Sequence, residues 1–144
     1  MAGSIRDSEK GPEIFGSILV RRKREVVEIA VGQGAGGVAT TTNMCPAGLI
    51  LSIGVKVLRP ATGGATLLNV GITGAGDADR FIDDIDCTDI NDSGVSPADG
   101  DGATATPVYN KTATTLDLTT DGNATGVSLK VLVETTYLEF AAPN

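Results

Sequence analysis

Residues 32–37 read Gly-Gln-Gly-Ala-Gly-Gly, so Gly32, Gly34 and Gly37 fit the letters of the G-x-G-x-x-G pattern that cradles a dinucleotide pyrophosphate. That chemistry needs a helix starting inside the glycines, so that its amides face the phosphate, and an acid about 20 residues on for the ribose. The chain runs instead into Val38-Ala39-Thr40-Thr41-Thr42, a poor helix start, and the downstream window offers Lys56 and Arg59. The glycines therefore read as a flexible connection between strands, and no cofactor is expected. Bulkier residues at Gly34 and Gly36 are expected to weaken assembly more than the isolated fold.

A second candidate is acidic. Nine Asp lie between Asp77 and Asp101, half of the chain's 18 acidic residues. Calcium needs several oxygens converging in one loop, which Asp77 and Asp79, or Asp99 and Asp101, could begin to supply. Both pairs lack the terminal Glu of an EF-hand, so no metal is expected and the stretch reads as solvated turns in which Asp caps backbone amides. The neighbours Asp83 and Asp84 invite an acid–base reading, but adjacent strand residues point to opposite faces.

The third is basic. Arg21, Arg22, Lys23 and Arg24 lie between apolar runs in a chain of net charge −7. Without interleaved aromatics, and against that field, they do not suit nucleic acid or an anionic membrane. They suit a docking contact with an acidic protein surface, for example the Asp-rich stretch of another copy.

What is missing also constrains the chemistry. The chain has no His and no Trp, and 3% aromatics, which excludes Ser-His and Cys-His nucleophiles and leaves few stacking platforms. No enzyme is expected. Cys45 and Cys87 read as separate buried thiols. The first ten residues lack the apolar core of a secretory signal, and the longest apolar run, 47–55, is too short to span a bilayer, so a soluble protein made in a cytoplasm is expected.

The elements that must position these groups read as strands. Residues 47–59 put Leu49, Leu51, Ile53, Val55 and Val57 on one side of a period-2 pattern, and residues 127–140 do the same with Leu129, Val131, Val133, Thr135 and Tyr137. Shorter β-rich runs at 14–20, 25–31, 37–43, 65–72, 106–109 and 114–119 are separated by Gly, Asp, Asn and Pro clusters, while 79–85 could form a short turn. With 144 residues and 19 Gly, this is one all-β domain: an antiparallel, jelly-roll-like β-sandwich with an extended N-terminal arm. The organisation expected is an arm and first strand over 1–24, serving anchoring and oligomer contact, and the sandwich over 25–144, with the glycine run marking the junction.

Residues 37–140 resemble a β-sandwich module of tailed-phage virion proteins, found in capsid decoration proteins and tail-fibre ends. The resemblance rests on a Thr-rich strand leading to Pro46-Ala47-Gly48, on Leu68-Asn69-Val70-Gly71, on Asp77-Ala78-Asp79-Arg80-Phe81, and on a last strand carrying Tyr137. It implies a virion structural protein made in a bacterial host, first of all a decoration or cement protein that bridges capsomers, with the major capsid protein and sister copies, as a homotrimer, for partners. A tail-fibre tip, neck or baseplate component of the same particle is the alternative, and a cellular calcium-dependent adhesion module a further one.

Overall fold

The computed structural model describes residues 18–72, 77–90, 92–95 and 107–140. Its strands, in chain order, are β1 (Ile18–Ile29), β2 (Val38–Ala39), β3 (Gly48–Arg59), β4 (Leu67–Ile72), β5 (Asp77–Asp86), β6 (Ser93–Val95), β7 (Val108–Asn110), β8 (Leu116–Thr120) and β9 (Leu129–Phe140). The described residues contain no helix, and so none long and apolar enough to cross a membrane. The N-terminal arm, Asp99 and Asp101 lie outside the described residues.

Alternation builds the first sheet. Leu129, Val131, Val133, Thr135 and Tyr137 of β9 are all buried, as their spacing predicts. β9 is the centre strand: β1 pairs with it antiparallel over twelve residues, β3 pairs on its other side, and β6 and β7 share the far edge of β3. The second sheet runs β2-β8-β4-β5, also antiparallel. Ile53, Val55, Val57, Val131 and Val133 from one sheet and Leu68, Val70, Phe81, Leu116 and Leu118 from the other belong to one continuous core, the two-layer arrangement expected of a β-sandwich. Met44, fully buried, belongs to it as well. Thr135, fully buried, donates its hydroxyl to the Met44 carbonyl at 2.6 Å, so this inward polar group of β9 is satisfied.

Two expectations change. In β3 the ladder slips between Ile50 and Ser52, so Ile50 rather than Leu49 or Leu51 takes the core position while Ile53, Val55 and Val57 keep theirs. The stretch 79–85, read as a turn within solvated loops, is the middle of strand β5, with Phe81, Ile82 and Ile85 buried. Its alternation is broken because Val70 pairs with Ile82 and Leu68 with Ile85, so Asp83 and Asp84 together oppose Asn69 in a β-bulge. Asp84 sits there at φ 57°, a conformation that Asp tolerates better than most residues, and its amide donates to Asn69 Oδ1 at 2.6 Å.

The runs expected at 14–20 and 25–31 are one strand from residue 18 onward, with Arg21–Arg24 inside it. The division drawn between residues 24 and 25 falls in the middle of β1, whose Val27 and Ile29 reach the core. The glycine run is therefore a link inside the sandwich, carrying the chain from β1 in one sheet to β2 in the other. Within it the two glycines singled out differ. Gly34 is buried at φ 118°, where an added Cβ would overlap Thr120 Oγ1, so replacing it strains the fold itself. Gly36 faces open space.

Candidate functional site

β1 presents its cations along the lateral edge of the first sheet, where among the described residues β9 is its one strand neighbour. Arg24 pairs with Glu134 at 2.5 Å, Arg22 approaches the same carboxylate at 3.7 Å, and Arg21 pairs with Glu139. Lys23 Nζ donates to the Asn43 carbonyl at 3.1 Å. The Arg21, Arg22 and Arg24 side chains keep 52%, 58% and 61% of their exposure, so these are surface ion pairs, of a kind worth at most about 1 kcal/mol. The four basic residues thus do not share one face: Arg22 and Arg24 lie with Glu134 on the outer face, whereas Arg21 and half-buried Lys23 alternate to the other.

Glu25, the next residue, is structural. Partial burial works against its charge, but amide and hydroxyl hydrogen bonds from Thr41 and Thr42 outweigh that and hold the carboxyl below its ordinary range. This ties β1 to the segment after β2. Glu28, at the surface, is lowered by the Ser128 hydroxyl and then by Arg59.

Asp77 and Asp79 of the acidic stretch lie on β5, and the described residues hold no group of three Asp, Glu or Cys that could enclose a metal ion. The carboxylates there bind backbone instead. Asp86 accepts from the Thr88 hydroxyl and amide, which lowers its pKa, and Asp92 accepts from the Asp86 amide at 2.6 Å. Asp121, after β8, is held at a pKa of about 2 by the Leu67 amide and by the Thr66 hydroxyl and amide. The reading of Asp as a cap for turns thus describes Asp86 and Asp92 of that stretch, and Asp121, outside it, acts in the same way, while β5 itself is what the sequence pattern missed.

The glycine link and Asn123 line a shallow hollow of about 410 Å³. Four of its amides are spent on the fold: Gly32 donates to Ala124 O, Gln33 to Ala30 O, Ala35 to Asn123 Oδ1 and Gly37 to Gly34 O. The element that follows is strand β2, so no helix N-terminus faces the hollow and the dinucleotide geometry is not there. Cys45 and Cys87 are free, buried thiols, each pushed up to about 11 by burial, which makes them poor nucleophiles.

One surface was not anticipated. Register places Tyr109 opposite Leu49, Leu49 opposite Leu138, and Leu138 opposite Val20, so an apolar row crosses four strands. It lies on the outer face, since the neighbours Tyr137 and Ile50 are the buried ones. Val20 at one end is 70% and Tyr109 at the other 64% exposed, with half-buried Leu49 and Leu138 joining them into one continuous apolar row. The row joins residues far apart in the chain, so a scan of local windows could not assemble it.

No family model matches the chain, and no curated protein matches its sequence significantly. Among solved structures, a chain described as the cyanophage Pam1 capsid asymmetric unit is similar at a TM-score of 0.48 and 17% identity, over 96% of this chain and 91% of that one.

Proposed function

We propose that this protein is a phage virion structural component, a capsid decoration protein that stabilises the head by bridging capsomers and that associates with sister copies as a homotrimer. The observation that carries the reading is the apolar row Tyr109–Leu49–Leu138–Val20 on the outer face of the sheet, exposed at its two ends and half-buried between them, with Arg22, Arg24 and Glu134 further along the same face. An apolar strip with a polar border is the composition of a protein–protein contact. The sequence resemblance to virion modules supplies the kind of partner, the major capsid protein. Its motifs fall on the frame of the sandwich: Pro46 and Ala47 lead into β3, Leu68–Gly71 lie in β4, Phe81 and Tyr137 are buried.

The mechanism is mechanical. A protein seated across a seam adds interface area that must be broken before the shell opens, and many copies act together through multivalency. The N-terminal arm is the proposed anchor, and no catalytic group or cofactor takes part. The test is reconstitution: particles stripped of the chain should open at a lower temperature, and adding the purified chain back should restore the original value. Tyr109→Ser combined with Val20→Ser should abolish the restoration while leaving the melting of the isolated chain nearly unchanged. Restoration by the double variant as complete as by the native chain refutes the contact face.

A further inference from the structure

The two lateral flanks of the sandwich carry opposite charge. The sheets stack with matching order, β1-β9-β3-β6 above β2-β8-β4-β5. The Glu25 bonds to Thr41 and Thr42 hold β1 beside the end of β2, and the Asp86 bond to Asp92 holds β5 beside the start of β6. Among the described residues each flank therefore has one long edge strand and one short one: twelve-residue β1 with β2, and ten-residue β5 with β6. β1 carries four Arg or Lys against two Glu, whereas β5 carries five Asp against one Arg. The imbalance extends to whole sheets, with seven cations against four anions on the five-stranded sheet and one cation against six anions on the four-stranded one.

Long edge strands are templates for pairing with another chain, and charge is a common guard against it. Here the guard is selective. β1 against a second β1 sets like charges together, and so does β5 against a second β5; β1 against β5 sets opposite charges together. We propose that copies of this chain associate head to tail, the β1 flank of one docking on the β5 flank of the next. Such a contact is heterologous, so it propagates until rotation closes it into a ring. The ion pairs of Arg22 and Arg24 with Glu134 are surface pairs, so sharing these guanidinia with a neighbour's carboxylates costs little. This deepens the self-association in the proposed function by naming its surfaces, and it requires no particle: a chain absent from virions could still assemble this way.

Sedimentation velocity on the purified chain tests it, using two charge-neutralised variants. Asp84→Asn with Asp86→Asn keeps a residue tolerant of φ 57° at the bulge and an Oδ1 acceptor for Thr88. Arg22→Gln with Arg24→Gln leaves Glu134 unpaired but in contact with water. The native chain should assemble at low salt and dissociate as salt rises. Each variant should assemble about tenfold more weakly or worse. An equimolar mixture should give 1:1 dimers, because one variant keeps its β5 flank and the other its β1 flank. A native chain that stays monomeric overturns the proposal, as does native assembly indifferent to salt. So does a β5 variant that assembles like the native chain, which is the result of β1-to-β1 pairing. Thermal melts report whether each variant folds, and the native salt series decides the matter even where one does not.

Discussion

β9 and β5 are both long strands that bury one face, yet only β9 reads as a strand in the sequence. In β9 the alternation from Leu129 to Tyr137 is unbroken, and all five inward residues are buried. In β5 the bulge at Asp83 and Asp84 inserts a residue, so Ile82 and Ile85 reach the core three positions apart and the period-2 signal disappears. A strand guarded by five Asp thus looks like a loop. The difference teaches that composition assigned the charge of this region correctly and its conformation wrongly, because the feature that re-aims the side chains also erases the pattern.

The comparison is most easily broken at Phe81. If β5 is a core strand, Phe81→Ala should cost about 3–5 kcal/mol in urea unfolding; a cost near that of a surface change would return the stretch to a solvated loop. Gly34 comes next, since the link between the sheets depends on its positive φ. Gly34→Ala should destabilise by about 1–3 kcal/mol, while Gly36→Ala should stay within about 0.5 kcal/mol. Equal effects at the two positions would restore the picture of a uniformly flexible connection. In β9, Thr135→Val keeps the shape but leaves the Met44 carbonyl without its donor, and a loss of about 1–2 kcal/mol is expected.

The smallest effect is in acid. The Asp121 carboxyl titrates at about 2 in the fold against an ordinary 3.8, so the folded state holds its proton less readily than the unfolded chain. Its contribution is complete above pH 3.8 and fades as pH falls toward 2. Asp121→Asn should therefore lower the melting temperature modestly at neutral pH, where that contribution is complete, and flatten its fall across that window, so that variant and native chain converge near pH 2. An unchanged acid slope would remove Asp121 as the clamp between the end of β8 and the start of β4.

The regular half of the fold was legible: β3, β4, β8 and β9 follow from alternation and from turn residues between them. The turn chemistry of Asp was legible as well, because side-chain capping of amides is local. Three things were not. The continuity of β1 was hidden because Arg21–Arg24 look like a break, although on an edge strand charged side chains are tolerated and here meet Glu134 and Glu139 across the sheet. β5 was hidden by its bulge. The apolar row from Val20 to Tyr109 was hidden because it joins four strands whose adjacency is a matter of topology.

The central claim is that this sandwich works through its outer surfaces, as a building block of a virion head. Quantitative mass spectrometry of purified intact particles tests it most directly. A decoration protein should be present in hundreds of copies, in fixed proportion to the major capsid protein. A particle that lacks the chain would contradict the claim outright, and a copy number of a few or a few tens would move it from the shell to the tail.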